Sequence, residues 1–326
     1  MRDDRTDAVS WAREVLAAQG ADVVAVEQVR QRAWSTVWRV RTGDGDRYLK
    51  TAPDGAAIEP ALLEVLALHG IPHVQRAIAV QGNHVLLPDG GPIVRLADAS
   101  ERDAVWQQVM RNVAEVQWAT EPAAADDLVR AGVPDVRLGV LPEVAAALVD
   151  RWAPELRSVL PMLSDTAAEL DELLPMATLD HGDLHTGNAF ARDAVPFDWG
   201  DASVSHPFCS LLVAGREDVP GAVDAYLETF FDEPGVAADP DVQHLVGLAT
   251  TLAVVPRVLS WQRAIDAAGD AMPAAYRSAP RDWLQTLDSG SGESEVEGMT
   301  GIEDLRSACS GRLGVVLEGM TGIEPA

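Results

Sequence analysis

Residues 179–201 read Leu179-Asp180-His181-Gly182-Asp183-Leu184-His185-Thr186-Gly187-Asn188-Ala189-Phe190-Ala191-Arg192-Asp193-Ala194-Val195-Pro196-Phe197-Asp198-Trp199-Gly200-Asp201, a non-helical island and the densest polar cluster of the chain. Three oxygen-bearing side chains stand out: Asp183, Asn188 five residues on, and Asp198 ten residues further. Ala189–Ala191 can pair with Val195–Phe197 as a tight hairpin turning at Arg192-Asp193-Ala194, which brings Asn188 and Asp198 to the same end. A carboxylate beside an amide oxygen is hard-ligand chemistry, suited to magnesium carrying phosphate oxygens. A separate carboxylate, Asp183, can receive or orient a substrate hydroxyl. Phosphoryl transfer needs these parts and one more, a cation on the nucleotide phosphates.

Upstream of the island, the chain offers that cation. Lys50 is the single lysine, and every other basic residue is arginine. A lysine that survives such a bias is either chance or needed for its compact ammonium, which arginine's planar fork does not reproduce. Residues 7–19 read as a short amphipathic helix with Trp11, Val15 and Leu16 on one face. Ala21–Val29, Ser35–Arg41 and Arg47–Ala52 then read as an antiparallel meander, with the turn signal Thr42-Gly43-Asp44-Gly45-Asp46 before the third strand and Lys50 near its end. Helical period over 58–69 stops at Gly70-Ile71-Pro72, and Ala77–Val80 and His84–Leu87 add two strands. Glu59, at the start of that helix, can pair with Lys50. Glu64 is the alternative partner.

Around and beyond the island the period is helical, with Trp106, Val109, Val113 and Val116, then Leu163, Ala167, Leu170 and Leu173, then 207–286 punctuated by prolines. A mostly β lobe, a connector at 88–100 and a helical lobe predict a two-lobed body with a cleft between them. The expected division is 1–95, 96–288 and a tail, 289–326. In that tail Glu-Gly-Met-Thr-Gly-Ile-Glu occurs at 297–303 and 318–324 behind a Ser-Gly-Ser-Gly linker, and it is expected to be disordered and dispensable.

Composition bounds the function classes. With 51 acidic and 25 basic residues the formal charge is −26. Such a chain repels phosphate backbones and anionic membrane surfaces, so neither nucleic acid nor membrane is expected as a partner. Cys209 and Cys309 cannot form a disulfide framework or a four-thiolate zinc site. Met1–Asp7 lacks the apolar core of a signal peptide, and the apolar stretch Leu245–Val255 is too short to span a bilayer. A cytoplasmic location follows as the expectation.

The loop resembles the His-Gly-Asp-x-x-x-x-Asn signature of the aminoglycoside phosphotransferase and choline kinase-like family, matched by His181, Gly182, Asp183 and Asn188. Asp198-Trp199 matches the family's following Asp. The resemblance covers roughly 20–285. It implies an α+β, two-lobed protein-kinase-like fold, with a small antiparallel sheet and one helix in the first lobe and a larger, mostly helical second lobe. It implies ATP and Mg2+ as cofactors, Asp183 as the catalytic residue, Asn188 and Asp198 as metal ligands, and Lys50 with Glu59 at the nucleotide phosphates. The implied acceptor is a hydroxyl of a small molecule, such as an amino-sugar, an aminoglycoside or a related compound. The chain departs from the pattern in three places. Gln31-Arg32-Ala33-Trp34-Ser35-Thr36 contains no glycine, and the gaps Asn188–Asp198 and Lys50–Glu59 are short.

Other readings stay open at this level. His181-x-Asp183-x-His185 could be a metal triad, against which Gly182 and Thr186-Gly187 favour a loop, with both histidines as its buried, hydrogen-bonded supports. Asp201 could assist at the metal edge, but capping a helix near Pro207 is preferred. Glu115 and Gln117 could face the cleft or solvent. The tryptophans are read as core. A nucleotide-binding module without turnover, or a protein kinase, are the alternative functions; the second lacks any Ala-Pro-Glu-like segment after Asp198.

Overall fold

The computed structural model describes residues 4–288, and the expected disordered tail lies outside them. Helix α1 (Asp4–Ala18) precedes strands β1 (Val23–Gln31), β2 (Thr36–Thr42) and β3 (Gly45–Thr51). Helix α2 (Glu59–Leu68) and strands β4 (Ala79–Gln81) and β5 (His84–Pro88) follow. The five strands form one antiparallel sheet in the order β1-β2-β3-β5-β4.

Strand alternation decides where Lys50 goes. Leu49 points with Trp38, Val40 and Leu86 into a core closed by Ala8, Ala12 and Leu16 of α1. Its neighbour Lys50, paired across the ladder with Val37 and Val85, must point to the opposite face. That face carries α2, whose Pro60 sits in the first turn where a missing N–H is harmless. Leu62, Leu63 and Leu66 of α2 are buried, whereas Glu64 is exposed, which removes it as a partner for Lys50.

The helical lobe begins with α3 (Ala99–Ala119), α4 (Pro122–Arg130), α5 (Leu141–Trp152) and α6 (Leu160–Leu173). The island follows: β6 (Thr178–Asp180), the hairpin β7 (Ala189–Phe190) and β8 (Val195–Pro196), then β9 (Ser203–Ser205), which pairs with β6. The expected tight hairpin is there, and it closes with Ala194 in the left-handed region at φ 51°. The β6–β9 pair, which the sequence reading did not anticipate, is what brackets the island. Helices α7 (Leu211–Ala214), α8 (Ala222–Phe231), α9 (Pro240–Leu252), α10 (Val254–Ala268), α11 (Ala274–Arg277) and α12 (Ala279–Asp288) complete the lobe.

One buried cluster ties the lobes together. Ile58, Leu62 and Leu66 of the first lobe pack with Val116, Leu128, Leu179, Trp199 and Val204 of the second. The helical stretch Pro240–Ala271 contains an 18-residue window apolar enough to pass as a membrane span, yet the stretch comprises the consecutive helices α9 and α10, and half of that window is buried.

Two further expectations need correcting. Asp201 does not cap the helical turn at Pro207; His206 does, accepting from the Phe208 N–H at 3.3 Å. His185 is not buried, keeping a quarter of its side chain exposed, although it does brace the loop by accepting from the Gly187 N–H at 3.0 Å.

Candidate active site

Lys50 bridges the two lobes. Its Nζ lies 2.5 Å from Glu59 Oε2 and hydrogen-bonds Asp198 Oδ1. The other Glu59 oxygen, Oε1, accepts from the backbone N–H of Trp199 at 2.9 Å, so one carboxylate fixes both the lysine and the residue after Asp198. Burial would lower the ammonium's pKa, but Asp198 and Glu59 outweigh it and hold Lys50 above the ordinary lysine range. Burial likewise opposes ionisation of Asp198, and the charge of Lys50 overcomes it. Asp198 adopts φ 66°, ψ 61°, a left-handed conformation uncommon for a residue with a side chain and one that clusters at functional sites.

Asp183 faces the same crevice as Lys50, Glu59 and Asp198. Its Oδ1 is 2.9 Å from Arg257 Nη2, and its Oδ2 is 3.6 Å from His185 Nε2. Burial pushes its carboxyl up, but the hydrogen bond from His185 and the Arg257 charge prevail and bring it down to about 2. Asn188 is buried beside it and donates from Nδ2 to the Asp183 carbonyl at 3.0 Å. That bond fixes the amide's orientation and leaves Oδ1 as the atom available to a cation. The Phe197 N–H donates to the Asn188 carbonyl at 2.8 Å, which sets Asn188 one ladder step from Asp198. These hard oxygens fit magnesium, the remaining Asp198 oxygen, Oδ2, lying 4.0 Å from Arg30 Nη1.

The loop's geometry is enforced from below. Gly182 has φ 74°, and a Cβ there would sit 2.2 Å from the Asp201 carbonyl oxygen, so only glycine fits. Asp180, fully buried and with its carboxyl pushed up by burial, accepts from Ser210 Oγ at 2.7 Å and the Gly182 N–H at 3.1 Å. His181 donates through Nε2 to the Phe197 carbonyl, 3.0 Å away, and lies against the Trp199 ring. It is therefore a support between loop and hairpin, not part of a histidine-rich metal site; among the described residues no group of three or more histidines, cysteines or acids could hold an ion.

The sequence reading missed the crevice's far wall. Helix α10 contributes Arg257, Ser260, Trp261 and Arg263. Arg257 also donates to the Gly182 carbonyl at 3.1 Å and stands 3.6 Å from Asp201, which accepts from Ser260 Oγ at 2.7 Å. An arginine inside the apolar run Val254-Val255-Pro256-Arg257-Val258-Leu259 was the available signal. Trp34, at the tip of the glycine-free β1–β2 turn, crosses the crevice to pack edge-on against Tyr276 and Trp261, with centroids 5.5 and 6.1 Å away. Glu115 does not reach the cleft but meets His73 at 2.7 Å, and Gln117 is buried in the helical lobe.

The sheet-plus-helix lobe, the interlobe lysine and the His-Gly-Asp loop define a protein of protein-kinase-like fold. The chain belongs to the phosphotransferase enzyme family, whose pattern matches residues 25–243. Among solved structures it is similar to macrolide 2'-phosphotransferase from Brachybacterium faecium (19% identity, TM-score 0.56, 87% of this chain and 99% of that one). It is also similar to the GDP complex of an aminoglycoside 2'-phosphotransferase (14%, 0.56, 87% and 99%). A third is the choline kinase of Streptococcus pneumoniae (10%, 0.54, 86% and 98%). At these identities the likenesses establish the fold. No curated protein sequence matches the chain.

Proposed function

We propose that the chain transfers the γ-phosphate of ATP, taken as its magnesium complex, to a hydroxyl group of a small molecule. Residues 1–95 then serve as the nucleotide-binding lobe and 96–288 as the catalytic and acceptor lobe. The observation that carries this reading is the convergence of Lys50, Asp183 and Asp198 on one crevice, with the buried Asn188 hydrogen-bonded to Asp183.

In this reading Asn188 and Asp198 hold the magnesium, which when bound neutralises charge across the phosphates. Lys50, kept as an ammonium by Glu59 and Asp198, supplies a compact positive charge to the phosphates. Asp183, anchored by Arg257, aligns the acceptor hydroxyl. As the hydroxyl oxygen bonds to the γ-phosphorus, the bond to the β–γ bridging oxygen breaks, ADP departs, and the hydroxyl proton passes to the Asp183 carboxylate. A carboxyl at about 2 is a weak base, so Asp183 contributes mainly by orientation, with proton transfer late.

A small acceptor is favoured over a peptide because only four residues, 199–202, separate Asp198 from β9, leaving no long segment on which a peptide could lie. One structural neighbour binds GDP, so both purine nucleotides belong in the test. Calorimetric titration with ATP and with GTP should show magnesium-dependent binding that Asp198→Ala abolishes. Absence of nucleotide binding, or binding indifferent to magnesium and to this substitution, would refute the reading.

A further inference from the structure

The charges of the crevice are unevenly satisfied. Every carboxylate lining it already has a cation: Glu59 and Asp198 have Lys50, Asp183 has Arg257 at 2.9 Å, and Asp201 has Arg257 at 3.6 Å along with the Ser260 hydroxyl. The reverse does not hold. Arg263, on the same helix and lining the same crevice, donates to two backbone carbonyls, those of Gly200 at 3.2 Å and Gly55 at 3.4 Å. Among the described residues no carboxylate lies within 4.0 Å of it. Asp201 acts on it only from beyond that distance, and burial lowers its pKa. In a chain of formal charge −26, a half-buried guanidinium without a carboxylate partner is an exception to the surrounding field.

From this charge pattern we infer that the acceptor carries an anionic group beside its reactive hydroxyl, and that Arg263 is the specificity-determining residue that receives it. This inference rests on the phosphotransferase reading. Among the described residues, a polycationic acceptor would meet crevice carboxylates that each already have a cationic neighbour. An oxyanion, carboxylate or phosphate, would instead meet a planar donor fork already oriented by its two carbonyl contacts. Arg263 lines the same crevice as Asp183, six residues along α10 from the Arg257 that holds it. The nucleotide phosphates are assigned to Lys50 on β3. Trp261 gives the same space an apolar wall, which suits a compact acid better than a heavily hydrated polyamine.

The test is a charge series on one carbon skeleton: glucosamine, glucose, gluconate and glucose 6-phosphate, with kanamycin as the polyamine. Binding is measured by calorimetry on the full chain with ADP and magnesium present, and transfer with labelled ATP. At least one acid should bind at least tenfold more tightly than glucose, and glucosamine and kanamycin no more tightly than glucose. The gluconate and glucose 6-phosphate arms tell a carboxylate from a phosphate. Arg263→Gln should erase the acid-over-neutral ratio, Arg263→Lys should retain part of it, and Arg263→Glu should invert it toward glucosamine. Acids that bind no better than glucose, tighter binding of kanamycin, or an order unchanged by Arg263→Gln overturns the inference. Loss of ADP–magnesium binding in the unaltered protein would instead strike the underlying reading.

Discussion

Lys50 is held by two carboxylates contributed from the two lobes, and its removal leaves both without their counter-ion in a largely buried place. Lys50→Met should therefore lower stability by about 3 kcal/mol, measured by urea denaturation, as well as weakening nucleotide binding. Glu59→Gln should be milder, since Asp198 still pairs the ammonium. Gly182 is the other residue-scale constraint. Gly182→Ala forces a Cβ against the Asp201 carbonyl and into an unfavourable φ, so a loss of about 2 kcal/mol and a misplaced Asp183 are expected, read by denaturation and by phosphate transfer. At this scale the sequence was informative where chemistry is carried by spacing. The separation of Asp183, Asn188 and Asp198 and the solitary lysine foretold which groups meet. Arg257 and Arg263 were not foretold, because they come from a helix about 70 residues downstream of the loop, and only tertiary packing brings α10 against it.

The elements explain how loops this short hold their geometry. Gln117 of α3 is buried and reaches the Leu179 carbonyl at 3.2 Å and the Pro207 carbonyl at 2.9 Å, and it accepts from the Tyr226 hydroxyl at 2.5 Å. One side chain thus joins the start of the loop, the segment after β9 and helix α8. Gln117→Leu leaves three buried polar groups unsatisfied and should destabilise by about 3 kcal/mol in a denaturant melt. The periodicity of α3 put Gln117 on a helix but could not say whether that helix was wrapped by others, so cleft and solvent stayed open as readings until α8 was seen to cover it. The β1–β2 turn shows a different limit. Lacking glycine, it closes with Arg32 N–H donating to the Ser35 carbonyl at 2.7 Å, and Trp34 docks across the crevice. Trp34→Ala removes this cross-lobe contact and should raise the KM for ATP several-fold with a smaller effect on kcat, measured by steady-state kinetics. A sequence without the expected glycines signals only that the usual loop is absent, and its replacement by an aromatic contact depends on Trp261 and Tyr276, far along the chain.

Across the whole molecule, burial sets the response to acid. His206 is fully buried, and desolvation holds it down to about 3, against an ordinary 6.5. Between those values the unfolded chain binds a proton that the folded chain does not, so stability rises with pH across the window. It is lost as pH falls from 6.5 toward 3, at up to about 1.4 kcal/mol per pH unit. Asp183, depressed to about 2, adds loss in the same direction below the ordinary carboxylate value, whereas Asp180, raised by burial, opposes it. Denaturant titrations from about pH 7 down to about pH 4 should show this slope, and His206→Gln should flatten it. The two-lobed order was legible in the sequence because the hydrophobic period changes from strand-like to helical near the connector. The interlobe cluster around Leu62, Leu179 and Trp199 was not, since its members share no local pattern.

In the proposed function, Asp183 aligns the acceptor hydroxyl. Its most direct test is phosphate transfer from labelled ATP by Asp183→Ala beside the unaltered chain, with nucleotide affinity measured on the same preparations. A fall in kcat of about 10³-fold with nucleotide affinity retained is the predicted result. Turnover close to that of the unaltered protein would contradict it.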